Sequence, residues 1–215
     1  MKKTVSLLLA VLLFAGLGTA AFAEETPNVV GTVTDDLYCN EFLGIQFKGN
    51  EMWQLLDAEE TAQVMGYTVE NVINDEDLMK QLEESGVMYD FLAVKLDGSN
   101  NSVNVILEDL GVLYGSILKM DTLMDMLEKQ LNQSLAGMGY QNLKITQETV
   151  EFAGEERPAF LIEGDFSGVH IYEREVLIRQ DQILGSVTIA SVGMDTLDED
   201  MALFQPIAAE EAAAA

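Results

Sequence analysis

Asp97, Ser99, Asn101 and Glu108 stand at positions 1, 3, 5 and 12 of the loop template that converges oxygen ligands on calcium. They are the candidate metal ligands of the chain, and calcium is the candidate cofactor. The template needs glycine at its sixth position for the sharp turn, but Ser102 stands there and Asn104 at the eighth. The run Asn101 to Ile106 also alternates polar and apolar as a strand does, so a hairpin turn entering a strand competes with the calcium loop.

His170 is the one histidine. Beside a carboxylate and a nucleophile it would serve a hydrolase as base, and as a zinc ligand it would need nitrogen or sulfur partners, of which Cys39 is the only cysteine. Its neighbours Tyr172 and Arg174 equally describe an ordinary strand face. No serine lies in a G-x-S-x-G elbow or an S-x-x-K motif. The acid clusters Asp75-Glu76-Asp77 and Asp195, Asp198-Glu199-Asp200 offer oxygens to a cation, yet each opens an expected helix, where acids cap N–H groups. With 37 acidic residues, no two are marked as a glycosidase pair. Met120 and Met124 suit core packing better than soft-metal ligation, lying as they do on a helical apolar stripe. The expected catalytic residues are therefore none.

The chain must position these groups within 215 residues carrying 11 Lys+Arg against 37 Asp+Glu, a formal charge of −26. That excess excludes a nucleic-acid backbone as partner, since phosphate binding needs clustered cations. Lys2-Lys3, the apolar run Val5 to Leu17, and Ala21-Phe22-Ala23 before Glu24-Glu25 have the order of a secretory signal peptide cleaved after Ala23. The run is shorter than the ~20 residues of a membrane-spanning helix. The expectation is a secreted or extracytoplasmic protein, with no stable membrane insertion after cleavage. Loss of two lysines and no acid takes the charge from −26 to −28. Cys39 has no partner for an internal disulfide and is expected as a buried small hydrophobe. Residues 24–36 are expected to be flexible, 37–206 to form one domain, and 207–215 to be a disordered Ala/Glu tail.

Within the domain, Tyr38–Phe42 and Gly44–Phe47 read as paired extended pieces, with Trp53 closing a core. Helices are expected over 57–66 and 74–84. Tyr89–Leu96 and Ser102–Leu107 flank the turn formers Asp97 to Asn101 as a hairpin. Met120, Leu123, Met124, Leu127, Leu131 and Leu135 recur at helical spacing along the helix expected over 121–136, and a helix of that pattern must cover a sheet. Four runs, Asn142–Phe152, Arg157–Asp165, Val169–Gln180 and Ile183–Ala190, follow with tight turns between them, which predicts an antiparallel meander. Thr196 and Glu199 predict a capping box for a last helix through Phe204, ended by Pro206. The class is α+β, an antiparallel sheet packed by helices.

This order of elements, opening on Phe42-Leu43-Gly44-Ile45-Gln46-Phe47 and Trp53, resembles the PsbP-like fold family, whose secreted bacterial members have no known role. The resemblance covers roughly Leu37 to Pro206 and implies an α/β/α sandwich that binds or assembles rather than catalyses. It carries over no binding residue. The function expected is a secreted, non-enzymatic binding or interaction domain for a protein partner or a small cationic ligand. The alternatives are a divalent-cation binder and a hydrolase using His170 with carboxylates.

Overall fold

The computed structural model describes residues 29–61, 63–64, 87–111, 115 and 117–207. The leader expected over 1–23, the helix expected over 74–84 with Asp75, Glu76 and Asp77, and the tail from 208 onward lie outside them.

The runs expected to be extended form strands, and so do Thr32–Val33 and Trp53–Leu56, which were not expected to. In chain order the strands are β1 (Thr32–Val33), β2 (Leu37–Asn40), β3 (Ile45–Lys48), β4 (Trp53–Leu56), β5 (Met88–Lys95) and β6 (Ser102–Asp109). Helix α1 (Met120–Gly137) leads into the meander β7 (Gln141–Phe152), β8 (Glu155–Phe166), β9 (Val169–Gln180) and β10 (Ile183–Val192). A short helix α2 (Leu197–Met201) and strand β11 (Phe204–Pro206) complete the order. All strand pairs are antiparallel, in a four-stranded sheet β1-β2-β3-β11 and a seven-stranded sheet β4-β5-β6-β10-β9-β8-β7. The meander turns are tight because Ser167 and Gly168, at φ +51° and +79°, and Asp181, at +54°, take left-handed backbone.

The apolar stripe of α1 buries Leu123, Met124, Leu127, Leu131 and Leu135 against one face of the large sheet, where Ile106, Phe160, Ile162, Ile171, Leu177 and Leu184 meet it. The helix ends in a Schellman turn: Gly139, at φ +96°, donates to Ala136 O, and Tyr140 N–H donates to Leu135 O. That turn delivers Tyr140 onto the same face. The opposite face packs through Phe91, Val103, Val105, Val176, Val187 and Ile189 against Tyr38, Ile45, Phe47 and Phe204 of the small sheet. Trp53 closes this second core, 5.6 Å edge-on to Phe47.

Several expectations change. Helices do not cover both faces, because the small sheet takes one of them, so the described residues form a helix, sheet and sheet arrangement in place of an α/β/α sandwich. Part of the segment expected to be flexible over 24–36 is built in: Val29 is buried, β1 pairs with β2, and Gly31 N–H donates to Asp90 at 2.8 Å. The last helix stops at Met201, and Phe204–Pro206 continues as an edge strand on β3. Its expected capping box does not form, since Asp195 Oδ1 accepts from Leu197 N–H while Thr196 Oγ1 turns to Asp200. Cys39, expected to be buried, is half-buried on β2.

Candidate functional site

The four calcium-template residues do not converge. Asp97, Ser99 and Asn101 lie in the β5–β6 turn, where Asp97 Oδ1 accepts from Ser99 N–H and Ser99 Oγ accepts from Asn101 N–H. The Ser99 hydroxyl and N–H hold the Asp97 carboxyl below its usual range. Both ends of the Asn101 amide are already occupied: its Nδ2 donates to Thr196 and Asp200, and its Oδ1 accepts from Val192 N–H. Asp200, buried and ion-paired to Lys95 at 3.0 Å, thereby ties α2 to the hairpin. Glu108 lies seven residues along β6 from Asn101, about 23 Å away by strand rise.

His170 and Asp165 face each other across the β8–β9 hairpin, with Nδ1 2.7 Å from Asp165 Oδ1. Asn142 donates to the other oxygen at 2.7 Å, and these bonds, that of Asn142 foremost, lower the Asp165 pKa. The imidazole packs edge-on to Tyr172, 4.6 Å between ring centres. Beside it, Met138, Gly139, Gln141, Asp165, Phe166, Ser167 and Gly168 line an open cleft of about 540 Å³.

A feature that the motifs do not mark lies on the α1 side of the large sheet. Because side chains alternate along a strand, Asn104 and Glu108 share the face of Ile106, and Glu173 and Glu175 share that of Ile171 and Leu177. Strand register places Asn104, Thr188 and Glu175 directly abreast on β6, β10 and β9, with Ala190 beside Glu173. The central strand β10 carries the small residues Ser186, Thr188 and Ala190 here, so a buried strip of polar and short side chains, the trough, lies between Asn104 on β6 and the two glutamates on β9.

These groups are buried, at 1% exposure for Asn104, 2% for Glu173, 1% for Glu175 and 0% for Glu108. Ser186 Oγ donates to Glu175 Oε1. Asn104 Oδ1, Glu173 Oε2, both oxygens of Glu108 and the Tyr140 hydroxyl have no hydrogen-bond partner. Buried polar atoms in native proteins are almost always satisfied, and an orphan group costs about 1–3 kcal/mol. Burial raises all three glutamates: Glu108 to about 9, with Asp109 adding to it, Glu175 to about 8 despite Ser186, and Glu173 well up under the further push of Glu175. Burial thus favours the neutral form of all three over the charged one.

Tyr140 connects this interior to the cleft. Its ring stacks on Phe166 at 4.9 Å between centres, Phe166 lines the cleft, and burial, with Glu173 adding to it, raises the Tyr140 hydroxyl pKa. Gly164 makes this possible, since a Cβ there would stand 3.2 Å from Tyr140 Cδ1. The Tyr140–Phe166 stack packs on the α1 side of the large sheet, and Phe166 also lines the cleft.

Among the described residues, no three His, Cys, Asp or Glu side chains form a group able to hold a metal. No described helix is long and apolar enough to cross a membrane. No known family model matches the chain, and no curated protein matches it. Among solved structures, a Pseudomonas aeruginosa protein of unknown function, PA94, is similar at 13% identity over 42% of this chain and 58% of its own, with a TM-score of 0.29. The chain therefore spans less than two thirds of that protein. LpqN, described as involved in cell envelope biogenesis of Mycobacterium tuberculosis, is similar at 9% identity over 75% of this chain and 82% of its own, with a TM-score of 0.39.

Proposed function

We propose that the protein is a non-enzymatic, extracytoplasmic binding domain, PsbP-like in its order of elements, that takes a small cationic ligand into the trough beneath α1. The observation that carries this reading is the set of buried, unpartnered oxygens of Asn104, Glu173, Glu108 and Tyr140 on one sheet face. A cation supplies what they lack: it repays the desolvation of a carboxylate that has no counter-ion of its own. The leader-like order of residues 2–25 supports export, and the −26 charge draws cations toward the molecule.

A protein partner has narrower support. Met52 and Leu96, 44% and 59% exposed, adjoin through a 2.7 Å backbone hydrogen bond and form a small apolar spot at one sheet edge. The hydrolase reading has the His170–Asp165 pair beside a cleft and lacks an assigned nucleophile.

Titration calorimetry with metal ions and organic ammonium ions, run on the purified protein and on Glu173→Gln, tests the reading. Saturable binding by at least one cation, weakened about tenfold or more in Glu173→Gln and unchanged in Asp97→Asn, is expected. Binding that Glu173→Gln leaves intact would place any ligand elsewhere and overturn it.

A further inference from the structure

We propose that the outer edge of β7 docks an extended basic segment of a partner protein, which joins the large sheet as a further strand. Among the described residues β7, 12 residues long, is an end strand of that sheet and pairs with β8 alone. In an antiparallel ladder alternate residues exchange both backbone hydrogen bonds with the neighbouring strand, and the residues between them turn N–H and C=O outward. Ala153 and Gly154, at φ +48° and +81°, close the β7–β8 hairpin as a two-residue turn, so Phe152 and Glu155 are a bonded pair. Stepping back from it by twos, Val150, Glu148, Thr146 and Lys144 bond to β8, whereas Ile145, Gln147, Thr149 and Glu151 present their backbone groups to the outer edge. Pro158, which has no N–H to give, stands opposite Thr149 and agrees with this phase. The edge uses none of the trough residues and stands apart from the cation-binding reading.

Edge strands are commonly blunted by bulges, lysines or prolines. Here the irregularity between Gln141 and Lys144, and Lys144 itself, guard the start of β7, but from Ile145 to Glu151 the edge carries no bulge, lysine or proline. Charge complementarity names the occupant. Ile145 packs into the α1 core, so Gln147, Thr149 and Glu151 share its face. Gln147 Nε2 donates to Asp125 and Glu128 of α1, at 3.1 and 2.6 Å, and so holds two carboxylates beside the edge. Among the described residues, neither these acids nor Glu151 pairs with a Lys or Arg. A Lys or Arg on an added strand opposite Gln147, with Cβ atoms about 5 Å apart, lies against that acid pair, and another opposite Glu151 meets its carboxylate. Main-chain bonds then supply affinity and the alternate basic side chains supply specificity. A second copy of the chain is the wrong occupant, since it would set like acids together and join two molecules of charge −26.

The probe is a synthetic peptide that alternates Lys with Thr and Val and is long enough to span Ile145 to Glu151. Amide hydrogen exchange followed by NMR should show Ile145, Gln147, Thr149 and Glu151 exchanging freely in the protein alone and slowing about tenfold or more when peptide saturates it. The same peptide N-methylated at alternate residues keeps its charge and should bind about tenfold more weakly, which charge attraction alone does not predict. Thr149→Pro removes an outward N–H without touching the ladder to β8 and should also weaken binding about tenfold. Asp125→Asn/Glu151→Gln, at two exposed positions, leaves the backbone intact and should weaken it about threefold. Glu173→Gln should leave peptide binding unchanged, so the edge and the trough are tested apart. Equal binding of the methylated peptide, or protection that appears elsewhere than on β7, overturns the proposal. Edge amides already slow in the protein alone, or sedimentation showing a dimer that Thr149→Pro dissociates, would show the edge occupied by the chain itself and overturn it too.

Discussion

Single residues on this fold are set by where water has been removed. Glu108 releases its proton near 4.5 in the unfolded chain and near 9 in the folded one, because burial disfavours its charge and Asp109 adds repulsion. Between those values only the folded state keeps the proton, so stability falls as pH rises through that window and levels off above it. Glu108→Gln has no proton to lose. Thermal unfolding between pH 5 and 9 should show a smaller decline in midpoint for Glu108→Gln than for the parent protein, and parallel curves would refute the burial of this carboxyl. Asp90 presents the satisfied counterpart. The β-bulge between Tyr89 and Phe91 turns it toward the small sheet, where it accepts from Gly31 N–H, the Tyr38 hydroxyl at 2.6 Å and Asn40 Nδ2 at 2.7 Å. Asp90→Ala leaves three donors unpaired and should cost about 3 kcal/mol in urea unfolding. Neither role was legible in the sequence. Glu173 and Glu175 flank Arg174 in an acid-rich chain, and nothing local reveals that the fold excludes water from them.

The elements were more legible, wherever one period dominated. The stripe on α1, the β5–β6 hairpin and the four-strand meander follow directly from spacings of three to four and of two, reinforced by turn formers at the tips. What periodicity missed are short pieces stabilised by distant partners: β1 holds through its pairing with β2 and through Asp90, and β11 is three residues docked on β3. Thr196 was misread for the same reason, since Asp200, Ser191 and Asn101, brought close by the fold, capture the hydroxyl that a local capping box would use. The helix is the element that covers the apolar part of this sheet face. Leu127, 0% exposed at the centre of its stripe, should cost about 3 kcal/mol on truncation to alanine, measured by denaturant unfolding. A loss below 1 kcal/mol would mean that α1 is not packed on the sheet as described.

At the scale of the whole molecule, a charge of −26 repels itself, and monovalent salt should raise the unfolding midpoint by screening that repulsion. A midpoint that stays flat or falls from low to moderate sodium chloride would show the charges to be already compensated. The same field concentrates cations at a surface whose interior holds carboxyls without counter-ions, and this pairing of exterior and interior is the core of the functional reading. The most direct measurement is carbon-13 NMR of the protein labelled at glutamate Cδ, titrated with pH and then with the cation that binds most tightly. The account expects Glu108, Glu173 and Glu175 to titrate above the exposed glutamates, and the bound cation to move the signal of Glu173. Glutamate signals that all titrate together, or a cation response confined to the exposed carboxylates, would contradict it.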